Sequence, residues 1–268
     1  MAAPNDKTSR IPRTVRFRIT RQDAPGKPTR VEEFDVPVET GANVISALQW
    51  IAAHPVTVDG TRTTPVVYDS GCLEEVCGAC TMVINGGVRQ SCTALIDDIV
   101  DPHGVVTLEP MSSFPTIRDL AVDRARLFAA LESVRAWVPI DGTYDLGAGP
   151  MESPKVQLTR YQLSQCMSCG CCLEACPQFN LEEDETEWQE SFIGPHAISQ
   201  ARLFNLHETG KILADERVDA ISGIGGVSDC GNAQNCVKVC PKEIPLTESI
   251  AEMGRAVTVR SIRKFFAG

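Results

Sequence analysis

Twelve cysteines in a chain of 268 residues pose the first chemical question. They fall in tight groups: Cys72, Cys77 and Cys80, with Cys92 following; then Cys166, Cys169, Cys171, Cys172 and Cys176; then Cys230, Cys236 and Cys240. So many thiols mean either the disulfide framework of a secreted domain or ligands for metal. Residues 1–13 are polar and basic, with no apolar stretch that would serve as a secretion signal. Cysteines two to four residues apart also seldom reach disulfide geometry. The groups therefore read as thiolates committed to metal in a reducing compartment.

Spacing narrows the metal. Cys72, Cys77 and Cys80 follow C-x4-C-x2-C, with eleven residues between Cys80 and Cys92. This is the plant-type [2Fe–2S] arrangement, in which one loop wraps the cluster and a later cysteine closes it. Gly71 and Gly78 let backbone N–H groups approach the sulfurs and stabilise the charge added on reduction. Zinc prefers paired C-x2-C knuckles or histidine partners, and neither is here. Cys166-x2-Cys169-x2-Cys172-x3-Cys176-Pro177 is the bacterial ferredoxin run, whose fourth cysteine ligates the other cluster of a two-cluster pair. The run recurs 64 residues later as Cys230, Cys236, Cys240 and Pro241, with Ala233 where the second cysteine belongs. Crossing the fourth cysteines assigns Cys166, Cys169, Cys172 and Cys240 to a [4Fe–4S] cluster. It leaves Cys176, Cys230 and Cys236 for three irons, a [3Fe–4S] cluster; a [4Fe–4S] whose fourth iron binds water or a substrate is the competing reading. Cys171 falls outside both patterns and reads as a buried thiol beside the cluster.

Two kinds of element must position these thiols. Val15, Phe17 and Ile19 alternate with polar residues as in a half-buried strand, and 31–36 reads as its antiparallel partner. A helix is expected over 43–53, ended by Pro55. Short strands are expected at 66–68 and 105–108, and a hairpin from 81–84 and 88–93 around Asn85-Gly86-Gly87. From about 115 the pattern turns helical: 117–137, 157–165, 195–208 and 247–266, with a Gly/Pro stretch over 142–154. The fold class is α+β, with domains 1–115 and 116–268.

Composition excludes other functions. Apolar residues make up 43% and charged residues 22%, ordinary for a globular chain. The formal charge of −10 argues against a nucleic-acid partner. No window reaches the ~18 apolar residues of a membrane span, so any membrane role comes through partners. The acidic run Glu182, Glu183, Asp184, Glu185 and Glu187 reads as a solvated face. Arg255, Arg260, Arg263, Lys264, Phe265 and Phe266 leave two readings: a surface for anionic headgroups, or a basic last turn that complements the helix dipole.

Taken together, 70–79, 166–177 and 230–241 resemble the iron–sulfur subunits of respiratory complex II, the succinate dehydrogenases and fumarate reductases, over nearly the whole chain. The resemblance implies a β-grasp fold for the first domain and an all-α, bacterial-ferredoxin-like second domain. It implies a flavoprotein partner with covalent FAD that oxidises succinate in the tricarboxylic acid cycle. Electrons would pass through [2Fe–2S], [4Fe–4S] and [3Fe–4S] to quinone at hydrophobic membrane-anchor subunits. The chain would lie peripherally on the cytoplasmic face of a bacterial inner membrane. Succinate is a weak reductant, so the first cluster must sit above the roughly −400 mV of plant-type ferredoxins. Ubiquinone-reducing members carry a tryptophan pair after the first Cys-Pro and a histidine after the first cysteine of the second run. Here those places hold Gln178, Phe179, Asn180 and Gly231, which is more similar to menaquinone-linked bacterial members. Pro177 and Phe179 adjoin Cys176 and either line the quinone end or pack a helix start. Fumarate reductase, with the reverse net direction, and the cluster subunit of a soluble thiol- or heterodisulfide-linked reductase are the alternatives.

Overall fold

The computed structural model describes residues 13–139, 151–179 and 190–267. The chain forms two compact units. One takes residues up to 111 together with 116–122; the other takes 112–115 and 123 onward.

In the first unit, β1 (Arg13–Arg21) and β2 (Arg30–Val38) pair antiparallel, with Phe17 opposite Phe34. α1 (Val44–Ala53) follows, then β3 (Thr81–Ile84), β4 (Gly87–Gln90), the single turn α2 (Ile96–Ile99) and β5 (Val105–Glu109). The five strands run in the order β2-β1-β5-β3-β4, with β1 and β5 parallel. Val15, Phe17, Ile19, Phe34 and Val36 point inward from β1 and β2, and Val44, Leu48 and Ile51 of α1 cover them. Burying each such side chain is worth about 1.5–3 kcal/mol. Asn43 starts α1 with a capping box: its side chain accepts from the Ser46 N–H at 2.9 Å while Ser46 Oγ accepts from the Asn43 N–H at 3.1 Å.

Three expectations change here. The hairpin turn is Asn85-Gly86 alone, at φ 51° and 76°, the two left-handed positions of a two-residue loop. Gly87 already pairs with Ile84, and β4 ends at Gln90. Cys92 thus lies just beyond the strand. Residues 66–68 are not a strand, because the Val67 N–H goes to the Asp119 carboxylate at 3.0 Å and its carbonyl to the Leu120 N–H. The helix expected over 117–137 begins only at Ala125. Before it, β6 (Thr116–Arg118) and β7 (Ala121–Val122) make a two-stranded ribbon. Asp119, at φ 49°, is wholly buried at the bend. Its carboxylate also accepts from Arg21 Nε at 2.9 Å, and Arg21 reaches Glu32 at 2.6 Å. A buried pair costs about 3–5 kcal/mol when one partner is lost, so this contact overrides the helical spacing of Leu120 and Leu127.

The second unit is helical: α3 (Ala125–Ser133), α4 (Pro154–Ser164), α5 (Cys171–Glu174), α6 (Pro195–Asn205), α7 (Ala214–Ala220), α8 (Asn235–Lys238) and α9 (Leu246–Ala267). Ala130, Ala197, Ile198, Ala201, Val218 and Met253 form its main core. Ser153 caps α4, and Pro154 occupies its first turn. Gly194 before α6 sits at φ 94°, where a Cβ would stand 2.3 Å from Leu173, so only glycine fits. Arg260 and Lys264 on α9 pair with Asp219 of α7, and Arg260 also with Asp215, which holds both cations within the fold. Phe265 and Phe266 remain exposed. The acidic run at 182–187 lies outside the described residues, as does most of the Gly/Pro stretch. Among the described residues no helix is long and apolar enough to cross a membrane.

Candidate metal centres

The first thiol group sits on a loop curled by left-handed residues, Leu73 at φ 62°, Glu75 at 54° and Gly78 at 70°. The curl turns N–H groups inward. Cys72 Sγ accepts from the N–H groups of Glu74, Val76 and Cys77 at 3.2–3.4 Å, and Cys77 Sγ from those of Cys72 and Ala79 at 3.4 and 3.5 Å. These bonds hold the Cys72 thiol down at about 7, below the usual thiol range. A Cβ on Gly71 would stand 3.1 Å from Cys77 Sγ, so glycine there lets the loop close tightly on the sulfur. Cys80 and Cys92 form the buried side, and burial pushes the Cys92 thiol up to about 11. Asn43 Nδ2 donates to the Cys92 carbonyl at 2.9 Å, so the residue that caps α1 also fixes the last cysteine. Thr93 Oγ1 donates to Glu75 at 2.8 Å and ties the closing segment to the loop.

The second group surrounds a single cavity. Cys166, Cys169, Cys172 and Cys240 all line it, as does Cys171, which has no exposed surface. The fourth cysteine of the later run thus stands with three from the earlier one. The Cys240 sulfur accepts from the Ile244 N–H at 3.4 Å. Burial pushes the Cys166 thiol up to about 11 and Cys172 well above the usual range. Cys169 is held at about 7 instead, chiefly by a hydrogen bond from Cys171. His196 and Ser199 of α6, both buried, complete the wall.

The third group lines another cavity, where Cys176, Cys230 and Cys236 stand with Ala233. Its rim is exposed and polar, with Gln178, Asn232 and Gln234 around it. A Cβ on Gly231 would meet Gln178 Nε2 at 3.0 Å, so the glycine leaves room for that amide. Of the two residues expected at the quinone end, Pro177 lines this cavity. Phe179 is buried, its ring 5.8 Å from that of Phe114 and 4.1 Å below the Arg126 guanidinium, a packing position.

All three sites are dominated by thiols, with N–H groups and cavities disposed around sulfur, which fits iron–sulfur clusters. Among the described residues no three His, Cys, Asp or Glu side chains converge as for one metal ion. A cluster does not need them to, since its thiolates are spread over several irons, two to each iron of [2Fe–2S] and one to each iron of [4Fe–4S]. Sequence spacing did not point to Asn43, Ser168 or His196. Only Asn43 had a visible signal, the Asn-x-x-Ser capping pattern.

A five-stranded sheet that carries one four-thiol loop, followed by helices around two further thiol-lined cavities, defines an iron–sulfur electron carrier. Comparison agrees. Residues 16–129 match the 2Fe-2S iron–sulfur cluster binding domain, and residues 162–244 the 4Fe-4S dicluster domain. The chain is 53% identical to the succinate dehydrogenase iron–sulfur subunit of Bacillus subtilis over 95% of its length and 96% of the relative's. It is 29% identical to the fumarate reductase iron–sulfur subunit of Mycobacterium tuberculosis over 93% of each chain. It shares its fold with a chain of the Mycobacterium smegmatis Sdh1 complex, at a TM-score of 0.72 with 24% identity over 93% of this chain and 97% of that one. The chain belongs to the family of succinate dehydrogenase iron–sulfur subunits, and electron transfer in an oxidoreductase is its role.

Proposed function

We propose that this chain carries electrons singly from an FAD-containing flavoprotein that oxidises succinate to a quinone at membrane-anchor subunits. Cys72, Cys77, Cys80 and Cys92 hold [2Fe–2S]. Cys166, Cys169, Cys172 and Cys240 hold [4Fe–4S], and Cys176, Cys230 and Cys236 hold [3Fe–4S]. The observation that carries the reading is the exchange between runs: Cys240 lines the cavity of Cys166, Cys169 and Cys172, while Cys176 lines that of Cys230 and Cys236. Bound clusters supply one-electron carriers, which a two-electron flavin step followed by quinone reduction requires.

The residues of this chain set the conditions of transfer. Five N–H groups aimed at Cys72 and Cys77 favour the reduced, more negative state and so raise the first potential toward the range of succinate. Leu73 and Val76 stand exposed beside those thiols and offer an apolar face to the flavoprotein. The exposed rim at Pro177 and Gln178 suits the quinone end. The complex then lies on the cytoplasmic face of the membrane. The greater identity to a succinate dehydrogenase subunit than to fumarate reductase subunits favours succinate oxidation.

The test is low-temperature EPR with iron analysis on the complex isolated from membranes. Oxidised protein should show a [3Fe–4S] signal. Mild reduction should add [2Fe–2S], and stronger reduction [4Fe–4S], with about nine irons per chain. Stoichiometric zinc, or iron for a single cluster, would overturn the reading.

A further inference from the structure

The cavity of Cys166, Cys169, Cys172 and Cys240 has a polar feature that cysteine spacing does not explain. His196, only 3% exposed, stands in its wall on the first turn of α6. Its Nε2 lies 3.1 Å from Ser168 Oγ. Ser168 sits between two cysteines of the first run at φ 52°, a strained position for serine, and its N–H and hydroxyl both act to lower the Cys166 thiol against the burial that raises it. A hydroxyl has one hydrogen. If that hydrogen is on Cys166, the Ser168 oxygen must accept, and the imidazole must be the donor. Burial supports the match, since it disfavours the charged imidazolium and leaves a neutral ring whose single N–H can be committed.

We propose that His196 and Ser168 form a hydrogen-bonded relay, His196 Nε2–H to Ser168 Oγ–H to Cys166 Sγ, that sets the reduction potential at the four-thiol cavity. Ser168 touches the ligand, and His196 is a positioning residue that acts through it. One electron, supplied by succinate oxidation, enters the site on reduction, and no proton leaves the relay. The added charge falls partly on Cys166 Sγ, and both hydrogen bonds strengthen as it does. A chain of two such bonds polarises more than either alone. The relay therefore favours the reduced state and raises the potential. The corresponding place in the second run holds Asn232, at φ 54°, with no histidine lining its cavity. Among the described residues, the device belongs to the first of the two sites only.

The inference rests on the ligand assignment proposed above, and the experiment separates the two. The intact complex is titrated electrochemically and followed by EPR, with the [2Fe–2S] potential in the same sample as internal reference. Ser168→Ala should lower the [4Fe–4S] midpoint relative to that reference. His196→Leu should lower it by less, and His196→Gln, which keeps a donor amide, should restore most of the shift. The double variant Ser168→Ala/His196→Leu should match Ser168→Ala, because the histidine has no other route to the sulfur. An unchanged midpoint in Ser168→Ala, or a further shift on adding His196→Leu to it, would overturn the relay. Absence of a [4Fe–4S] signal from the unaltered complex would overturn the ligand assignment instead.

Discussion

Residues 166–177 and 230–241 follow the same path around different cavities. Ser168 and Asn232 lie at φ 52° and 54°, Gly170 and Gln234 at 91° and 60°, and four-residue helices begin at Cys171 and Asn235. Every one of these positions is offset by 64, as the cysteines are. What differs is the lining. The first run closes on a cavity walled by the buried residues Cys171, His196, Ser199 and Leu246. The second opens to solvent through Gln178, Asn232 and Gln234. With Ala233 where the first run has Cys169, the second run still keeps the same left-handed positions. Backbone geometry therefore records the repeat, while side chains decide what each site holds and whom it meets.

The largest effect that tests this comparison comes from exchange between the runs. Cys240→Ser belongs to the later run by sequence, yet it should abolish or severely distort the [4Fe–4S] signal and leave that of [3Fe–4S]. EPR of oxidised and dithionite-reduced complex reads both, and the opposite pattern would mean that each run ligates its own cluster.

Backbone changes should have smaller effects. Gly170→Ala forces a side chain into a left-handed position and should cost about 1–2 kcal/mol. Gln234→Gly relieves the equivalent position and should be neutral or slightly stabilising. Loss of cluster absorbance on heating the complex measures both, and equal responses would break the equivalence of the two loops.

The smallest effect is expected for Cys171→Ser. A hydroxyl can replace the thiol as donor to Cys169, so all three EPR signals and most quinone reductase activity should survive. Cys172→Ser should not be so mild, since Cys172 is a proposed ligand; if the two variants behave alike, the ligand set within the run is misassigned.

Much of this was readable in the sequence because cysteine spacing is tied directly to iron geometry. The β1–β2 pair and α1 were equally readable, since Val15, Phe17 and Ile19 keep period two and Val44, Leu48 and Ile51 keep helical period. The ribbon at 116–122 was hidden. Leu120 has helical spacing with Leu127, but it turns into the core of the first unit because Asp119 bends the chain to meet Arg21, which is 98 residues away. Such a contact leaves no local trace. His196 was hidden for the same reason: nothing near it in sequence says that α6 brings it to Ser168, 28 residues earlier. Phe179 shows a different limit, since its place beside Cys176 leaves the quinone end and helix-start packing both open, while the structure sets its ring against Phe114 and Arg126.

One variant bears on the whole comparison. Ala233 faces the third cavity from a loop whose backbone copies that of Cys169, so Ala233→Cys offers a thiolate where the first run has one. EPR of the oxidised complex should lose the [3Fe–4S] signal, iron should rise by about one per chain, and quinone reduction should slow as the site's potential falls. FAD reduction by succinate should persist. A full-strength [3Fe–4S] signal with unchanged turnover would contradict the claim that one side chain, set in a common backbone, decides between three irons and four.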